Sequence, residues 1–300
     1  INDASSIEFN PDGSYKGVLV ETAGTQLLGV TDTPATQTVT VTAAEHTLSF
    51  YGSGTVTLSG TYSGSLTGTG TDADRVQLTF TPTAGSLTLT VSGAPKNWQL
   101  ETRSIASSYI KNTGAAGTTG SRVKDDISLT NASLIGQTEG TIFVEVDWQE
   151  VPSTLQTLLS LNYDVDNRIK LYKDTDEYLN MYIQESGSTV EYDDGVDASK
   201  FDGIQKIAFA YADGDVELYV NGVSVKTGSP TLSGFASPLE NVEFGQDYNA
   251  DNQANMWIRT VALFTSRLSD GECVALTAGG LEFVFNLSNE IYSTSTLIFS

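Results

Sequence analysis

Apolar and polar residues alternate with a period of two along most of this 300-residue chain. The alternating runs are short and end at Gly, Ser, Asp or Pro. Examples are Val39 and Val41, Leu48 and Phe50, Val56 and Leu58, and Leu87, Leu89 and Val91. Successive side chains of a strand point to opposite sides, so such runs bury one face of a sheet. The pattern predicts an all-β fold of antiparallel sandwiches.

The length favours two such domains, because a typical domain has roughly 100–150 residues. Between Thr113 and Gly120 the sequence reads TGAAGTTG, which contains no large apolar residue. This composition is typical of a flexible joint or of a segment that crosses the surface. We therefore predict two sandwiches in tandem: a jelly-roll-like domain over residues 1–113, a linker over 114–122 and a second domain over 123–300.

The second domain carries further local signals. Asn221-Gly222 separates two alternating runs and predicts a tight hairpin, since both residues tolerate the positive φ of a type I′ turn. Ser269, with Glu272 three residues later, forms a capping-box pattern and predicts one short helix over 269–276. Two further apolar runs lie at 281–285 and 296–299, and one of them is predicted to pair with an early strand of its sheet.

Acidic residues are concentrated in the second part of the chain. Residues 1–122 carry nine acids and six bases, whereas residues 123–300 carry 28 acids and nine bases. A surface with this much negative charge repels phosphate backbones and anionic lipid. We therefore expect no nucleic acid partner. No run approaches the ~18 continuous apolar residues of a spanning helix, so we expect no membrane insertion. Acidity can equally serve solubility alone.

Few residues suit metal or nucleophile chemistry. His46 is the single histidine and Cys273 the single cysteine, which argues against a multi-His metal site, a catalytic triad and an intrachain disulfide. His46 precedes a strand and is predicted at the surface or at a strand end. The sequence also contains no Gly-rich phosphate-binding motif.

Three acids, Glu145, Asp147 and Glu150, have the E-x-D-x-x-E spacing of family 16 glycoside hydrolases. Catalysis by two carboxylates with retention requires both in one cleft, about 5 Å apart. On a regular strand Glu150 points away from Glu145, and alternate apolar residues give this strand an ordinary buried face. We interpret these acids as a solvated strand face and predict no catalytic residue; a polysaccharide depolymerase is the less favoured alternative.

One loop combines carboxylates, amides and an aromatic ring. Asp247, Asn249 and Asp251 place oxygen ligands at alternate positions, which suits Ca²⁺, the one cofactor we consider. Tyr248, with Asp247, Asn249 and Asn252 around it, is the candidate for stacking on a sugar ring, because the three tryptophans are predicted to be buried. A solvated turn without a ligand accounts for the same residues.

Seven segments carry a resemblance to known proteins. In the first part these are Lys16–Glu21 within FNPDGSYKGVLVETAGTQLL, the runs HTLSFYGSGTVTLSG and RVQLTFTPTAGSLTLTVSG, and NWQLETRSIASSYIKNTG. They resemble a carbohydrate-binding-module-like sandwich. In the second part GTIFVEVDW, KIAFAYADGDVELYVNG and MWIRTVALFTSRLSDGE resemble a laminin-G-like or concanavalin A-like domain. In this combination the segments resemble virion fibre proteins of tailed bacteriophages.

The resemblance covers about residues 9–277 and implies a place on the virion surface, in a tail or fibre, extracellular once assembled. It further implies contacts with other virion proteins and a homo-oligomer, with a trimer favoured. The implied role is recognition of a host-surface glycan without catalysis. A purely structural or capsid-decorating role is the alternative, since this fold serves lectins, hydrolases and spacers alike.

Overall fold

The computed structural model describes residues 6–9, 13–148, 154–192, 195–197 and 203–280, and within them the chain is mostly β-structure. The strands are β1 (Ser6–Phe9), β2 (Tyr15–Val20), β3 (Gly24–Gln26), β4 (Gln37–Val41), β5 (His46–Gly60), β6 (Gly64–Thr67), β7 (Thr71–Phe80), β8 (Gly85–Glu101), β9 (Gly120–Arg122), β10 (Ser128–Thr130), β11 (Gly140–Trp148), β12 (Gln156–Asp164), β13 (Asn167–Lys173), β14 (Tyr178–Glu185), β15 (Ser188–Tyr192), β16 (Val196–Asp197), β17 (Ile204–Ala212), β18 (Asp215–Val220), β19 (Val223–Gly228), β20 (Asn241–Phe244) and β21 (Met256–Phe264). The helix α1 (Asp270–Gly279) follows, and short 3₁₀ turns lie at Ala132–Leu134 and Tyr248–Ala250.

Two compact units make up the fold. The discontinuous domain contains the described parts of Ile1–Thr22 and Asp125–Ser300, and the inserted domain contains Ala23–Lys124. Strands pair antiparallel in both, so the predicted all-β, antiparallel sandwich class is confirmed. None of the helices among the described residues combines the length and hydropathy needed to cross a membrane.

Two sheets form the discontinuous domain. The first has the order β1-β2-β21-β11-β17-β18-β19, and the second has the order β10-β20-β12-β13-β14-β15, with β16 beside β14. Apolar side chains from both sheets form one core, which includes Ile142 and Phe209 of the first sheet and Leu161, Ile169 and Met181 of the second. Period-two alternation produces this arrangement, because each strand contributes one apolar face.

The helix α1 packs on the outer face of the first sheet. Its Cys273 and Leu276 are buried with Phe143 of β11 and Ala208 of β17. The predicted capping box is confirmed, since the Ser269 side chain accepts from the Glu272 N–H and the Glu272 carboxylate accepts from the Ser269 N–H.

The other local predictions have mixed outcomes. The hairpin between β18 and β19 is confirmed, with φ of 49° at Asn221 and 85° at Gly222. His46 does begin a strand, but it is fully buried rather than at the surface, and its ring stacks on Phe80. The closing runs 281–285 and 296–299 lie outside the described residues.

The inserted domain is built on two long strands. β5 and β8 pair along most of their lengths, from Thr47 opposite Glu101 to Gly60 opposite Leu87. The first half of β5 also pairs with β7, and the second half pairs with β6. Apolar side chains of both halves, together with Trp98, share one core. A long sheet that bends so that its own faces meet thus forms this sandwich.

The division of the chain differs from the predicted boundaries at 113 and 123. β2 pairs with β21, with Val18 opposite Ile258 and Val20 opposite Met256, and Val20 is fully buried in the core of the discontinuous domain. The N-terminal segment, predicted as part of the first sandwich, therefore belongs with the second. Within the predicted linker, β9 pairs with β3 of the inserted domain.

Candidate functional site

Strand β13 separates apolar from polar side chains. Ile169 and Leu171 point into the core, whereas Arg168, Lys170 and Tyr172 occupy the alternate positions and point to the opposite side of the second sheet. The same division holds along β12, β14 and β20. We name this outward side of the second sheet the polar face.

The strand register aligns the polar face in rows. The lysine row contains Ser128, Glu243, Ser160, Lys170 and Tyr182, in the order β10, β20, β12, β13, β14. The arginine row contains Thr130, Asn241, Asn162, Arg168, Gln184 and Thr189, from β10 to β15. The third row contains Thr157, Tyr172 and Asn180. Each side chain in these rows carries a hydroxyl, amide, carboxylate or cationic group, so the face can form many hydrogen bonds.

Asp247 attaches a loop to the polar face. Its Oδ2 accepts from Arg168 Nη1 at 2.7 Å and from Lys170 Nζ at 2.9 Å. Its Oδ1 accepts from Ser160 Oγ at 3.1 Å and from the Tyr248 N–H at 2.9 Å. The Asp247 side chain is 1% exposed, against 7% for Lys170 and 16% for Arg168. The carboxylate thus occupies a buried position with four donors.

The two carboxyl groups of this region have pKa values shifted in opposite directions. Burial alone would raise the pKa of Asp247, but Lys170 and Arg168 outweigh that effect and hold it below its usual value. Burial raises the pKa of Glu243, and repulsion from Asp126 and Asp247 adds to the shift. Asp247 therefore stays ionised, while ionisation of Glu243 is disfavoured.

Tyr182 supplies a half-buried aromatic ring beside these charges. Its ring meets that of Tyr172 edge to face, with centroids 6.4 Å apart. Lys170 Nζ lies 5.1 Å from the Tyr182 centroid, and the Arg168 guanidinium carbon lies 5.4 Å from it. Aromatic packing and cation–π attraction hold the ring in place.

Three buried side-chain oxygens around the third row have no hydrogen-bond partner among the described residues. They are Thr157 Oγ1, Asn180 Oδ1 and Gln253 Oε1. Gln253 lies beside Thr157 through a parallel β-bridge, and Asn180 already donates to Asp174 at 2.9 Å. Buried polar atoms nearly always find a partner, so these oxygens indicate a place for ordered water or a polar ligand.

The side chains of the other predicted loop residues lie outside the hydrogen-bond network of Asp247. Tyr248 is half-buried, while Asn249, Asp251 and Asn252 are exposed. Asn249 and Asn252 have φ values of 60° and 50°, which asparagine tolerates. Of the predicted glycan contacts, the structure places Asp247 on the polar face, and the side chains of Tyr248, Asn249 and Asn252 form no hydrogen bond with a described residue.

The predicted Ca²⁺ ligands do not fit that ion. Asp247 uses both carboxylate oxygens, and two cations already neutralise it. A divalent cation would have to displace Arg168 and Lys170 before reaching it. In the part of the chain that the structure describes, no group of three or more His, Cys, Asp or Glu side chains is placed to hold a metal ion.

Arg168, Lys170 and Tyr182 were not predicted from the sequence as site residues. The sequence pattern that could have indicated them is the alternation itself, since β13 and β14 place polar and aromatic residues at every position that points away from the core. Half-buried strands on a protein surface show the same pattern. Strand pairing brings these residues to Asp247, which lies 77 and 79 positions after Lys170 and Arg168.

The acids of the E-x-D-x-x-E motif and the tryptophans have the following contacts and burial. Glu145 forms an ion pair with Arg259, with Nε 2.8 Å from its Oε1, and Glu150 lies outside the described residues. Trp98 is buried as predicted, whereas Trp148 and Trp257 are half-buried. Lys16 lies over the ring of Trp257, 3.3 Å from its centroid.

The sequence matches no protein-family model and no curated protein sequence. Similar solved structures include the CBM40 module of a Ruminococcus gnavus IT-sialidase, 18% identical over 51% of this chain and 97% of that chain, with a TM-score of 0.42. Domain 4 of an extracellular arabinanase from Geobacillus stearothermophilus, in complex with arabinotriose, is 15% identical over 51% of this chain and 73% of that chain, with a TM-score of 0.41. The receptor-binding domain of a botulinum neurotoxin C/D mosaic serotype is 14% identical over 52% and 43%, with a TM-score of 0.39. At these identities and TM-scores the matches establish neither a family nor a function.

Proposed function

We propose that the polar face binds a saccharide and that the chain recognises a glycan without cleaving it. The observation that carries this proposal is the alignment of hydroxyl, amide and aromatic groups in rows across one face, next to the unpartnered oxygens of Thr157, Asn180 and Gln253. Saccharides present hydroxyl groups that donate and accept, and flat apolar ring faces that stack on aromatic rings. A polar sheet face with a fixed ring matches both.

The arginine row offers the accessible part of this surface. Asn241 presents a half-buried amide, and Thr130 and Thr189 present exposed hydroxyls at the two ends of the row, whereas Asn162 is fully buried. Tyr182 lies beside this row, and its hydroxyl is 3.1 Å from Thr189 Oγ1. Because strands hold these groups, little side-chain entropy is lost when a ligand binds.

The carboxylate chemistry favours binding over hydrolysis. Asp247 has a lowered pKa, but both its oxygens already accept hydrogen bonds, from Ser160, Arg168 and Lys170. A nucleophilic carboxylate must be free to approach the anomeric carbon. Asp247 instead positions Arg168 and Lys170.

A glycan array with a matched variant pair tests the proposal. We expect saturable binding by the protein and about tenfold weaker binding by Tyr182→Ala, because a stacking contact of about 1.4 kcal/mol is worth a factor of ten. Tyr15→Ala removes a half-buried tyrosine from the first sheet and should bind like the unchanged protein. Tyr248→Ala tests the loop that the sequence indicated. A folded protein that binds no glycan overturns the proposal.

We further propose a place on the virion surface of a tailed phage, in a tail or fibre, with other virion proteins as partners. This proposal is supported by the resemblance of segments such as NWQLETRSIASSYIKNTG to phage fibre proteins, and a homo-oligomer, with a trimer favoured, goes with it. Antibody labelling of intact particles and light scattering of the purified protein test these points. Labelled particles together with a blank glycan array would favour the capsid-decorating role.

A further inference from the structure

Two bases share one acid at the centre of the polar face. Elsewhere in this acidic domain Arg259 has its own carboxylate in Glu145, whereas Arg168 and Lys170 both pair with Asp247. The acid of the lysine row, Glu243, accepts a hydrogen bond from Gln246 at 2.7 Å and forms an ion pair with neither Arg168 nor Lys170. One positive charge therefore lacks a carboxylate partner of its own at this point.

Two hydrogen-bond donors without a described partner belong to neighbouring side chains at this point. Arg168 donates from Nε to Gln184 Oε1 at 3.1 Å and from Nη1 to Asp247. Its Nη2 forms no hydrogen bond with a described residue. Because Oε1 of Gln184 is already an acceptor, the amide nitrogen Nε2 remains as a donor without a described partner. The two residues are cross-strand neighbours and both are partly exposed.

An anionic group with two oxygens fits this donor pair. Guanidinium groups bind carboxylates through two parallel hydrogen bonds, and charge-assisted bonds are the stronger ones. The half-buried amide of Asn241 suits a sugar hydroxyl, and the half-buried ring of Tyr182 suits a sugar face. The 28 acids of residues 123–300 repel polyanions, so a ligand with an isolated charge on a neutral scaffold is favoured.

We infer that the polar face takes a glycan with a carboxylate-bearing sugar residue, whose carboxylate binds between Arg168 Nη2 and Gln184 Nε2. This inference rests on the proposed saccharide-binding function and names the class of its ligand.

The test uses an array of acidic oligosaccharides, each printed beside its carboxyl methyl ester, with the 300-residue chain as the probe. Esterification removes the charge and keeps the sugar skeleton. We expect binding to acidic members about tenfold or more stronger than to their esters, and a decrease with added salt. Equal binding to both forms, or binding only to neutral glycans, overturns the acidic ligand and leaves the saccharide function intact. A blank array with folded protein overturns both.

Two variants locate the carboxylate. Gln184→Glu places an acid opposite Arg168, so it should weaken binding of acidic glycans about tenfold or more, and weaken it more than any binding of their esters. Its fold should persist, because the new carboxylate can pair with Arg168. Arg168→Gln should show the same loss. Lys226→Gln, which removes one base from β19 of the first sheet, is the charge-matched control. Loss with Lys226→Gln as well, or unchanged binding by Gln184→Glu, would overturn the assignment to this donor pair.

Discussion

Asp247 connects the loop after β20 to the second sheet, and one carboxylate accepts from the buried Lys170, the partly exposed Arg168, a serine hydroxyl and a backbone N–H. The net attraction between this carboxylate and its donors adds little to stability. Loss of the carboxylate costs more, because its donors would be left unpaired. Removing it leaves Lys170 and Arg168 without a counter-ion in a region of low exposure.

Asp247→Asn should lower the free energy of unfolding by about 3 kcal/mol, the lower end for a broken buried pair because Arg168 is partly exposed. The measurement is urea unfolding at pH 7. Because the pKa of Asp247 is lowered, its contribution is present above the pKa of an unfolded aspartate and is lost as pH falls through the folded value. The difference between the two proteins should therefore shrink in acid. Asp251→Asn, on the exposed part of the same loop, should change little; equal losses would contradict this.

The pKa shift of Glu243, and therefore its effect on stability with pH, is opposite in direction to that of Asp247. Its pKa is raised in the fold by burial and by neighbouring acids, so its contribution is favourable below the unfolded pKa and is lost as pH rises through the folded value. Glu243→Gln should raise the melting temperature by a few degrees at pH 8 and by almost nothing at pH 4. Melting curves at the two pH values measure this. A variant less stable at pH 8 would show that the carboxylate contributes more than its repulsion costs.

Asp247 was predicted as an oxygen ligand for a cation or a contact for a sugar, whereas in the structure it is the ion-pair partner of Arg168 and Lys170. The D-x-N-x-D spacing indicated oxygen ligands in one loop, a local property that residue order can reveal. The partners of Asp247 lie on strands whose pairing and register are not encoded in any spacing along the chain. Arg168, Lys170 and Tyr182 become neighbours only through the register of β13 with β12 and β14, which depends on the whole core.

At the scale of elements, alternation predicted strands well and their continuity poorly. Leu48 with Phe50 and Val56 with Leu58 appeared as separate runs because glycines lie between them. In the structure both runs belong to β5, which continues through Gly54 at a φ of +108°. Glycine here permits a backbone conformation that other residues rarely adopt, so the strand bends instead of ending.

Gly54→Ala tests this bend. A Cβ at position 54 would clash with the carbonyl oxygen of Ser92 on β8, so we expect a loss of roughly 2–4 kcal/mol. Gly70 also has a positive φ, of +93°, but a Cβ there would meet nothing within 4 Å. Gly70→Ala should therefore cost only about 1 kcal/mol of backbone strain. Chemical denaturation of both variants measures the difference, and equal losses would mean that strain, not close approach, dominates at the bend.

At the scale of the whole molecule, the sequence predicted two sandwiches but a tandem order. The Gly-rich segment near residue 117 looked like the only joint, and nothing local distinguishes a strand that starts one domain from a strand that completes another. β2 pairs with β21 across more than 230 positions of sequence. Contacts at such separation depend on the burial of Leu19 and Val20 in the core of the discontinuous domain. From the sequence alone these residues were assigned to the core formed by the strands that follow them directly in the chain.

The insertion can be tested by excision. The Glu21 N–H donates to Asp125 Oδ2 at 2.9 Å, and the Asp125 N–H donates to the Glu21 carbonyl at 3.1 Å, so a few Gly and Ser residues can replace 23–124. We expect the remaining chain to unfold cooperatively by circular dichroism and to keep its glycan binding. Deleting residues 1–22 removes two strands and the buried Val20 from the discontinuous domain, so that domain should lose several kcal/mol while the inserted domain melts unchanged. A tandem arrangement requires the reverse, since the same deletion would then destabilise the first sandwich and spare the second.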